Sequence, residues 1–297
     1  MLQIESSSLC NLACPKCHHK SSQRSYGNMK TGLALDLITQ ATEMQIRVVS
    51  LSMLGEPLLH PELEEIIAFA HKKGMYVYFV TNATLLSPER SKSLIEAGIH
   101  SLGVSIDGWD KISYGQRHSG MELQKVIENL KAFREIREGS SNKPLIMSTT
   151  TIDTESIKHM PEIRKLLSPI VDACRLNFLT DFGFPAERID PALLPGTKSW
   201  KRMPCLYLWH NLSVGWNGKV TACCNDHEFL LVYGDATEHS LEQIWDSEKI
   251  REFRLLHINR DFNKMPLCGR CTRDWINSIA FQKLALKFNC DIRQELS

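Results

Sequence analysis

From residue 2 to residue 179 the sequence alternates strand and helix patterns joined by short connections, and that alternation confines the chain to a parallel sheet with crossover helices. β-rich runs occupy residues 2–6, 47–53, 75–80, 99–106, 144–152 and 171–179. Between them lie helical patterns at Leu33–Ile46, Pro61–Lys73, Ser87–Gly98, Glu122–Glu138 and Ser156–Leu167. Gly74 and Gly98 stand where helix stops belong, and Pro88 sits where a first turn tolerates proline. Six strands fall short of the eight that close a barrel, so the expected α/β fold is an open or partial (β/α)6 barrel.

Near residue 180 the alternation breaks. Residues 181–204 contain Pro185, Pro191, Pro195 and Pro204 with little periodicity and read as a linker. Residues 209–224 hold two β-runs around Asn217-Gly218, the pattern of a type I′ hairpin. An amphipathic helix is expected over Ser240–Leu256, then a loop carrying Cys268-Gly269-Arg270-Cys271, then a C-terminal helix. The chain divides on this reading into a core at 1–180, a linker at 181–204 and a second domain at 205–297.

Ten cysteines are the one unusual count in the composition. Cys10, Cys14 and Cys17 crowd the amino terminus; Cys205, Cys223, Cys224, Cys268 and Cys271 lie in the last third, and Cys174 and Cys290 stand alone. The sequence starts on its first strand without a secretory leader and contains no apolar run long enough to cross a bilayer, so a cytoplasmic, reducing compartment is expected, with no membrane partner. Clustered thiols in such a compartment hold metal more often than they pair. Thirty-five basic residues against thirty-four acidic ones exclude the strongly basic surface that grips nucleic acid.

Cys10-Asn11-Leu12-Ala13-Cys14-Pro15-Lys16-Cys17 spaces three thiols in a tight loop directly after a strand. Such a set suits zinc, with His18 or His19 completing a Cys3His shell, or an iron–sulfur cluster. A CxxxCxxC loop after the first strand of a six-fold βα domain resembles the radical S-adenosylmethionine (radical SAM) enzymes. Three further matches follow in order at strand ends: Gly55-Glu56-Pro57, similar to the family's GGEP motif; Thr81-Asn82; and Ser105-Ile106-Asp107-Gly108. The resemblance implies a 4Fe-4S cluster on Cys10, Cys14 and Cys17 with one iron open to SAM, and SAM contacts from Gly55, Glu56, Pro57, Asn82, Ser105 and Asp107. It implies reductive cleavage of SAM to a 5′-deoxyadenosyl radical that abstracts hydrogen from a substrate C–H bond, the electron coming from a flavodoxin- or ferredoxin-type donor. The chain departs from the family pattern at Leu54, Lys16 and Ala83, where relatives carry glycine, an aromatic residue and glycine.

The later cysteines resemble the auxiliary-cluster extension called SPASM, or its shorter twitch form, since no cysteine follows Cys271 until Cys290. Cys205, Cys223, Cys268 and Cys271 are then the four ligands of a second 4Fe-4S cluster. The spacing is similar to the branch containing 2-deoxy-scyllo-inosamine dehydrogenase and to radical SAM epimerases such as neomycin C epimerase. That implies a small polar substrate, an amino sugar or aminocyclitol, attacked at a carbinol carbon and either epimerised, with Cys224 as hydrogen donor, or dehydrogenated. Asp226 and His227 read as loop residues, with proton handling in the dehydrogenase outcome as their alternative role. The early first strand leaves no room for a leader-recognition domain, which tilts the expectation away from peptides. A peptide-modifying enzyme that epimerises or crosslinks residues is the alternative within the family, and a non-catalytic zinc scaffold the alternative outside it.

Overall fold

The computed structural model describes residues 1–153, 155–178 and 204–271. Its strands are β1 (Leu2–Ile4), β2 (Val48–Ser50), β3 (Tyr76–Thr81), β4 (Ser101–Ser105), β5 (Leu145–Ile152), β6 (Ala173–Phe178), β7 (Leu212–Val214), β8 (Lys219–Thr221) and β9 (Val232–Asp235). All join one sheet in the order β6-β5-β4-β3-β2-β1-β7-β8-β9. The first seven in that order pair in parallel; β8 and β9 add antiparallel. The sheet is that of a partial barrel, as the count of six βα patterns predicts.

Burial alternates along β3: Val77, Phe79 and Thr81 are buried while Tyr78 and Val80 are half-exposed, so one face packs under helices and the other stays open. The covering helices present apolar stripes at helical spacing. Helix α1 (Thr31–Glu43) buries Ala34, Leu37, Ile38 and Ala41, and α2 (Leu63–Lys72) buries Leu63, Ile66, Ile67 and Ala70. Each fully buried Leu or Ile contributes about 1.5–3 kcal/mol relative to exposure. The Ser87 hydroxyl caps α3 (Pro88–Glu96) by accepting from Arg90 N at 3.2 Å. Gly98 ends it at φ 92°, with no room for a Cβ against the His71 ring.

Several elements differ from the sequence expectation. Helix α4 (Lys111–Arg117) precedes the anticipated α5 (Leu123–Glu138) and has its own capping box, Asp110 with Ser113. The helix expected over Ser156–Leu167 opens as a 3-10 turn at Ser156–His159 and becomes α6 (Met160–Leu167), with Pro161 in its first turn. After a short α7 (Tyr207–His210), the hairpin forms but is not type I′. That turn needs positive φ at both central residues, and only Gly218 has it, at 87°. The wider loop closes through Gly218 N to Gly215 O and Gly215 N to Lys219 O, both 2.9 Å.

Nor is the hairpin a separate sheet. β7 pairs with β1, and Glu5 N donates to Val214 O at 2.8 Å just beyond it. The expected helix over Ser240–Leu256 is two, α8 (Leu241–Trp245) and α9 (Glu248–Ile258), because Ser247 caps a new start just after the first ends. The proline-rich linker, the C-terminal helix and Cys290 lie outside the described residues, except for Pro204. Among the described residues, no helix is long and apolar enough to cross a membrane.

Candidate functional site: the cysteine loop after strand β1 and the cysteines around the hairpin

The loop after β1 begins as a pinned neck. Ser8 N donates to Gly27 O at 2.9 Å, Gly27 N returns to Ser8 Oγ at 2.8 Å, and Ser7 bridges Asn28. Beyond the neck, Cys17 N donates to Cys14 O at 3.0 Å, turning the loop so that Cys10, Cys14 and Cys17 are all half-buried. Burial raises the pKa of each thiol, and the charge of a neighbouring cysteine raises it further, Cys14 acting on Cys10, Cys17 on Cys14 and Cys10 on Cys17. Three such thiols ionise together only around a cation, and an all-sulfur donor set suits a soft one. They fit an iron–sulfur cluster. His19 does not join them: its Nε2 faces Ser8 O at 2.9 Å and its ring stacks on Tyr26 at 4.3 Å. The zinc shell with His19 as fourth ligand is therefore not assembled, and His18 lies against His227, rings 5.2 Å apart.

Every strand-end loop from β2 to β5 reaches the cysteine loop. After β2, Glu56 N donates to Leu9 O at 2.7 Å. The Glu56 carboxylate, buried, accepts from Thr81 Oγ1 (2.6 Å), Asn82 N (2.8 Å) and Leu58 N (3.1 Å). Burial still leaves its pKa raised. After β3, Asn82 Nδ2 donates to Asn11 Oδ1 at 3.0 Å, while Asn11 Nδ2 donates to Thr84 Oγ1 at 2.8 Å. Ala83 takes a φ of 57°, which glycine adopts without strain. After β4, Asp107 Oδ1 accepts from Thr151 N at 2.5 Å, and Asp107 N donates to Nε2 of His118, whose Nδ1 lies 3.9 Å from Cys14 Sγ. Beside it, Ser119 Oγ accepts from Ala13 N at 3.0 Å.

After β5, Asp153 accepts from Lys16 Nζ at 2.8 Å and from both arms of Arg117 at 2.7 and 3.1 Å. Burial opposes ionisation of Asp153, but Arg117 and Lys16 more than reverse that and hold its carboxyl well below the usual range. Lys16 is thus an ion-pair partner.

The second set of cysteines surrounds the hairpin and α9. Cys205 N donates to Nδ1 of buried His257 at 3.1 Å, and the His257 ring meets Phe262 edge-on at 5.0 Å. Gly269 N then returns to Met265 O at 2.9 Å and Cys271 N to Cys268 O at 3.2 Å, so α9 and its following turns carry both Cys205 and the Cys268–Cys271 pair. Cys223 follows β8, its Sγ accepting from Asn225 N at 3.4 Å. Asp226 is buried and accepts from Thr221 Oγ1, Leu230 N and Leu231 N, which stitches the turn after β8. Among the described residues no three Cys, His, Asp or Glu side chains converge on a point that would hold a single metal ion.

Residues 18–27 bind the two loops together. Gln23 N donates to Glu228 Oε2 at 3.2 Å, Trp216 Nε1 to Ser25 O at 3.2 Å, and Arg24 lies over Phe229 at 4.4 Å.

Ser105, Thr149 and Thr151 are half-buried on the open side, and Arg175 is exposed there. The Tyr78 hydroxyl shares this face. Burial pushes its pKa up, while Ser50 and the charge of Arg175 oppose, and Cys224 adds to the rise. Cys224 is therefore close enough to the open face for its charge to be felt at Tyr78. His118 and Tyr78 escape motif reading because each lies far in sequence from the cysteine it approaches, Cys14 and Cys224, and the Glu5–Arg24 pair escapes it because its link to the hairpin at Trp216 exists only in the fold.

The family model described as the radical SAM superfamily matches residues 4–167, and that of the SPASM iron–sulfur cluster-binding domain matches residues 205–272. A tungsten-containing aldehyde ferredoxin oxidoreductase cofactor-modifying protein from Pyrococcus furiosus is 25% identical over 319 aligned positions, 91% of this chain and 86% of that protein. Among solved structures, BtrN in complex with AdoMet and 2-DOIA shares the fold with a TM-score of 0.64 at 21% identity, covering 92% of each chain. Streptococcus suis SuiB bound to its precursor peptide SuiA gives 0.70 at 14% identity, over 85% of this chain and 66% of that one.

Proposed function

The chain belongs to the radical SAM superfamily and carries a SPASM auxiliary iron–sulfur domain, and on that premise we propose that it abstracts hydrogen from a carbinol carbon of an amino sugar or aminocyclitol and returns hydrogen from Cys224 to give an epimer. Cys10, Cys14 and Cys17 would hold one 4Fe-4S cluster, and Cys205, Cys223, Cys268 and Cys271 a second. Gly55, Glu56, Pro57, Asn82, Ser105 and Asp107 would line the SAM site. When bound, the amino-terminal cluster and SAM supply one-electron cleavage and a carbon radical able to take hydrogen from an unactivated C–H bond. A flavodoxin- or ferredoxin-type protein would deliver the electron.

The chain's own residues do the positioning. The carboxylate of Glu56 locks the β2 and β3 loops at a fixed height over the cysteine loop. Asn82 and Asn11 hold that loop laterally. The hydroxyls of Tyr78, Ser105 and Thr149 give the open face a polar lining suited to a polyhydroxylated molecule. What supports the epimerase reading is Cys224, half-buried, next to the proposed ligand Cys223 and within electrostatic reach of Tyr78 on that face. Its thiol would pass one hydrogen atom to the substrate carbon. The thiyl left behind needs one electron and one proton before the next turnover, both from the external donor and solvent.

The test is anaerobic incubation with SAM, reductant and a panel of aminocyclitols and amino sugars in D2O. The epimer should carry one solvent deuterium. Cys224→Ala should still form 5′-deoxyadenosine and lose the epimer; a ketone formed equally by both proteins would establish dehydrogenation instead. Turnover only on added peptides would move the substrate to the class that SuiB was solved with.

A further inference from the structure

His118 is buried just past the end of α4, and three contacts fix its imidazole. The ring stacks on buried Tyr114, centroids 4.3 Å apart and 22° from parallel. Nε2 faces the backbone N–H of Asp107 at 3.2 Å, and Nδ1 faces Cys14 Sγ at 3.9 Å, within the longer reach of a hydrogen bond to sulfur. A backbone N–H can only donate, so Nε2 must present its lone pair. The nearer carboxylate oxygen of Asp107 is 3.5 Å from Nε2, farther than that donor. A neutral imidazole with an acceptor Nε2 carries its hydrogen on Nδ1. That hydrogen points at the sulfur.

We infer that His118 is a positioning residue that donates an Nδ1–H···Sγ hydrogen bond to Cys14 and thereby sets the reduction potential of the amino-terminal cluster. This rests on the reading of Cys10, Cys14 and Cys17 as cluster ligands. Reduction adds negative charge that is shared by the sulfurs, so a donor aimed at one of them stabilises the reduced state more than the oxidised one and raises the potential. The Asp107 backbone amide selects the tautomer, which makes the loop after β4 part of the electronic environment of the cysteine loop.

The experiment uses the full chain reconstituted anaerobically with iron and sulfide, and follows the cluster whose EPR signal changes on adding SAM. His118→Phe keeps the ring and its stack on Tyr114 but removes both nitrogens. It should retain iron and sulfide while shifting the one-electron reduction equilibrium about tenfold toward the oxidised form, a fall of about 59 mV. His118→Asn, whose amide nitrogen can stand near the Nδ1 position, should recover most of the shift. With 15N-labelled histidine, pulsed EPR of the reduced wild-type protein should show a weak nitrogen coupling that His118→Phe removes. An unchanged potential in an iron-replete His118→Phe, or no such coupling in the wild type, would overturn the inference. Failure of the wild type to form any SAM-responsive cluster is a different result: it would remove the reading beneath, and the inference with it.

Discussion

The Glu5 carboxylate, buried without exposure at the end of β1, meets the Arg24 guanidinium through two parallel bonds of 3.0 and 2.6 Å. The same carboxylate accepts from Trp216 N at 3.2 Å in the hairpin loop. One side chain thus ties together the strand, the far limb of the first cysteine loop and the region carrying the second set. A buried pair of this kind adds little net stability while intact, but losing one partner leaves an uncompensated buried charge. Arg24→Met should cost about 3–5 kcal/mol. Glu5→Gln with Arg24→Met should recover much of that, because the amide oxygen can still accept from Trp216. Chemical denaturation of both variants is the measurement, and equal losses in the two would contradict the charge-pair account.

Replacing Cys10, Cys14 and Cys17 together by alanine should remove about half of the roughly eight irons expected per chain and abolish 5′-deoxyadenosine formation. The corresponding change at Cys205, Cys223, Cys268 and Cys271 should remove the other half and leave the SAM-dependent EPR change in place. Iron and sulfide analysis after anaerobic reconstitution separates the two sets. Loss of all iron from either variant would mean one shared site.

Gly55 holds a φ of 90°, and a Cβ there would stand 2.6 Å from Ser7 O and 2.7 Å from the Ser8 backbone. Those atoms belong to the neck of the cysteine loop and cannot swing aside as a side chain would. Gly55→Ala combines left-handed strain of about 1–2 kcal/mol with overpacking of about 1–3 kcal/mol. The β2 loop should lift and Glu56 N should lose Leu9 O, so iron retention should fall along with stability. A variant with wild-type denaturation midpoint and full iron would show that the neck yields easily.

The sheet was legible because period-two strands and glycine-stopped helices state themselves locally, as at Tyr76–Thr81 and Gly74. Cys10, Cys14 and Cys17 were legible as one group because they come at short spacing on a single loop. Helix α4 was overlooked because its signal, Asp110 as cap with Ser113 in the first turn, is one polar pair at the start of a short, weakly apolar segment. Strand β9 was overlooked because Val232-Tyr233-Gly234-Asp235 is short and half disfavoured in strands. The pairing of β7 with β1 joins residues 2–4 to 212–214, a relation no local pattern can carry. The same holds for His118 beside Cys14 and Cys224 near Tyr78, where sequence names the residue types and only the fold supplies the neighbour.

His227 provides the pH dependence. Burial first, then the charges of His18 and Arg24, push its imidazole down to about 3 from an ordinary value of 6.5. In the unfolded chain it takes up a proton below about 6.5, whereas in the folded chain it stays neutral until about 3. Between those values the unfolded state binds more protons, so stability rises with pH and falls by up to about 1.4 kcal/mol per unit as pH drops. Its contribution is complete above about 6.5 and erodes as the pH falls toward 3. Moving from pH 7 to pH 5 should therefore cost the wild type about 2 kcal/mol more than it costs His227→Phe, each protein being compared with itself so that any packing change cancels. Urea midpoints at the two pH values measure it. Identical pH losses in the two proteins would mean that the imidazole reaches solvent, and that the contact of His18 with His227 opens in solution.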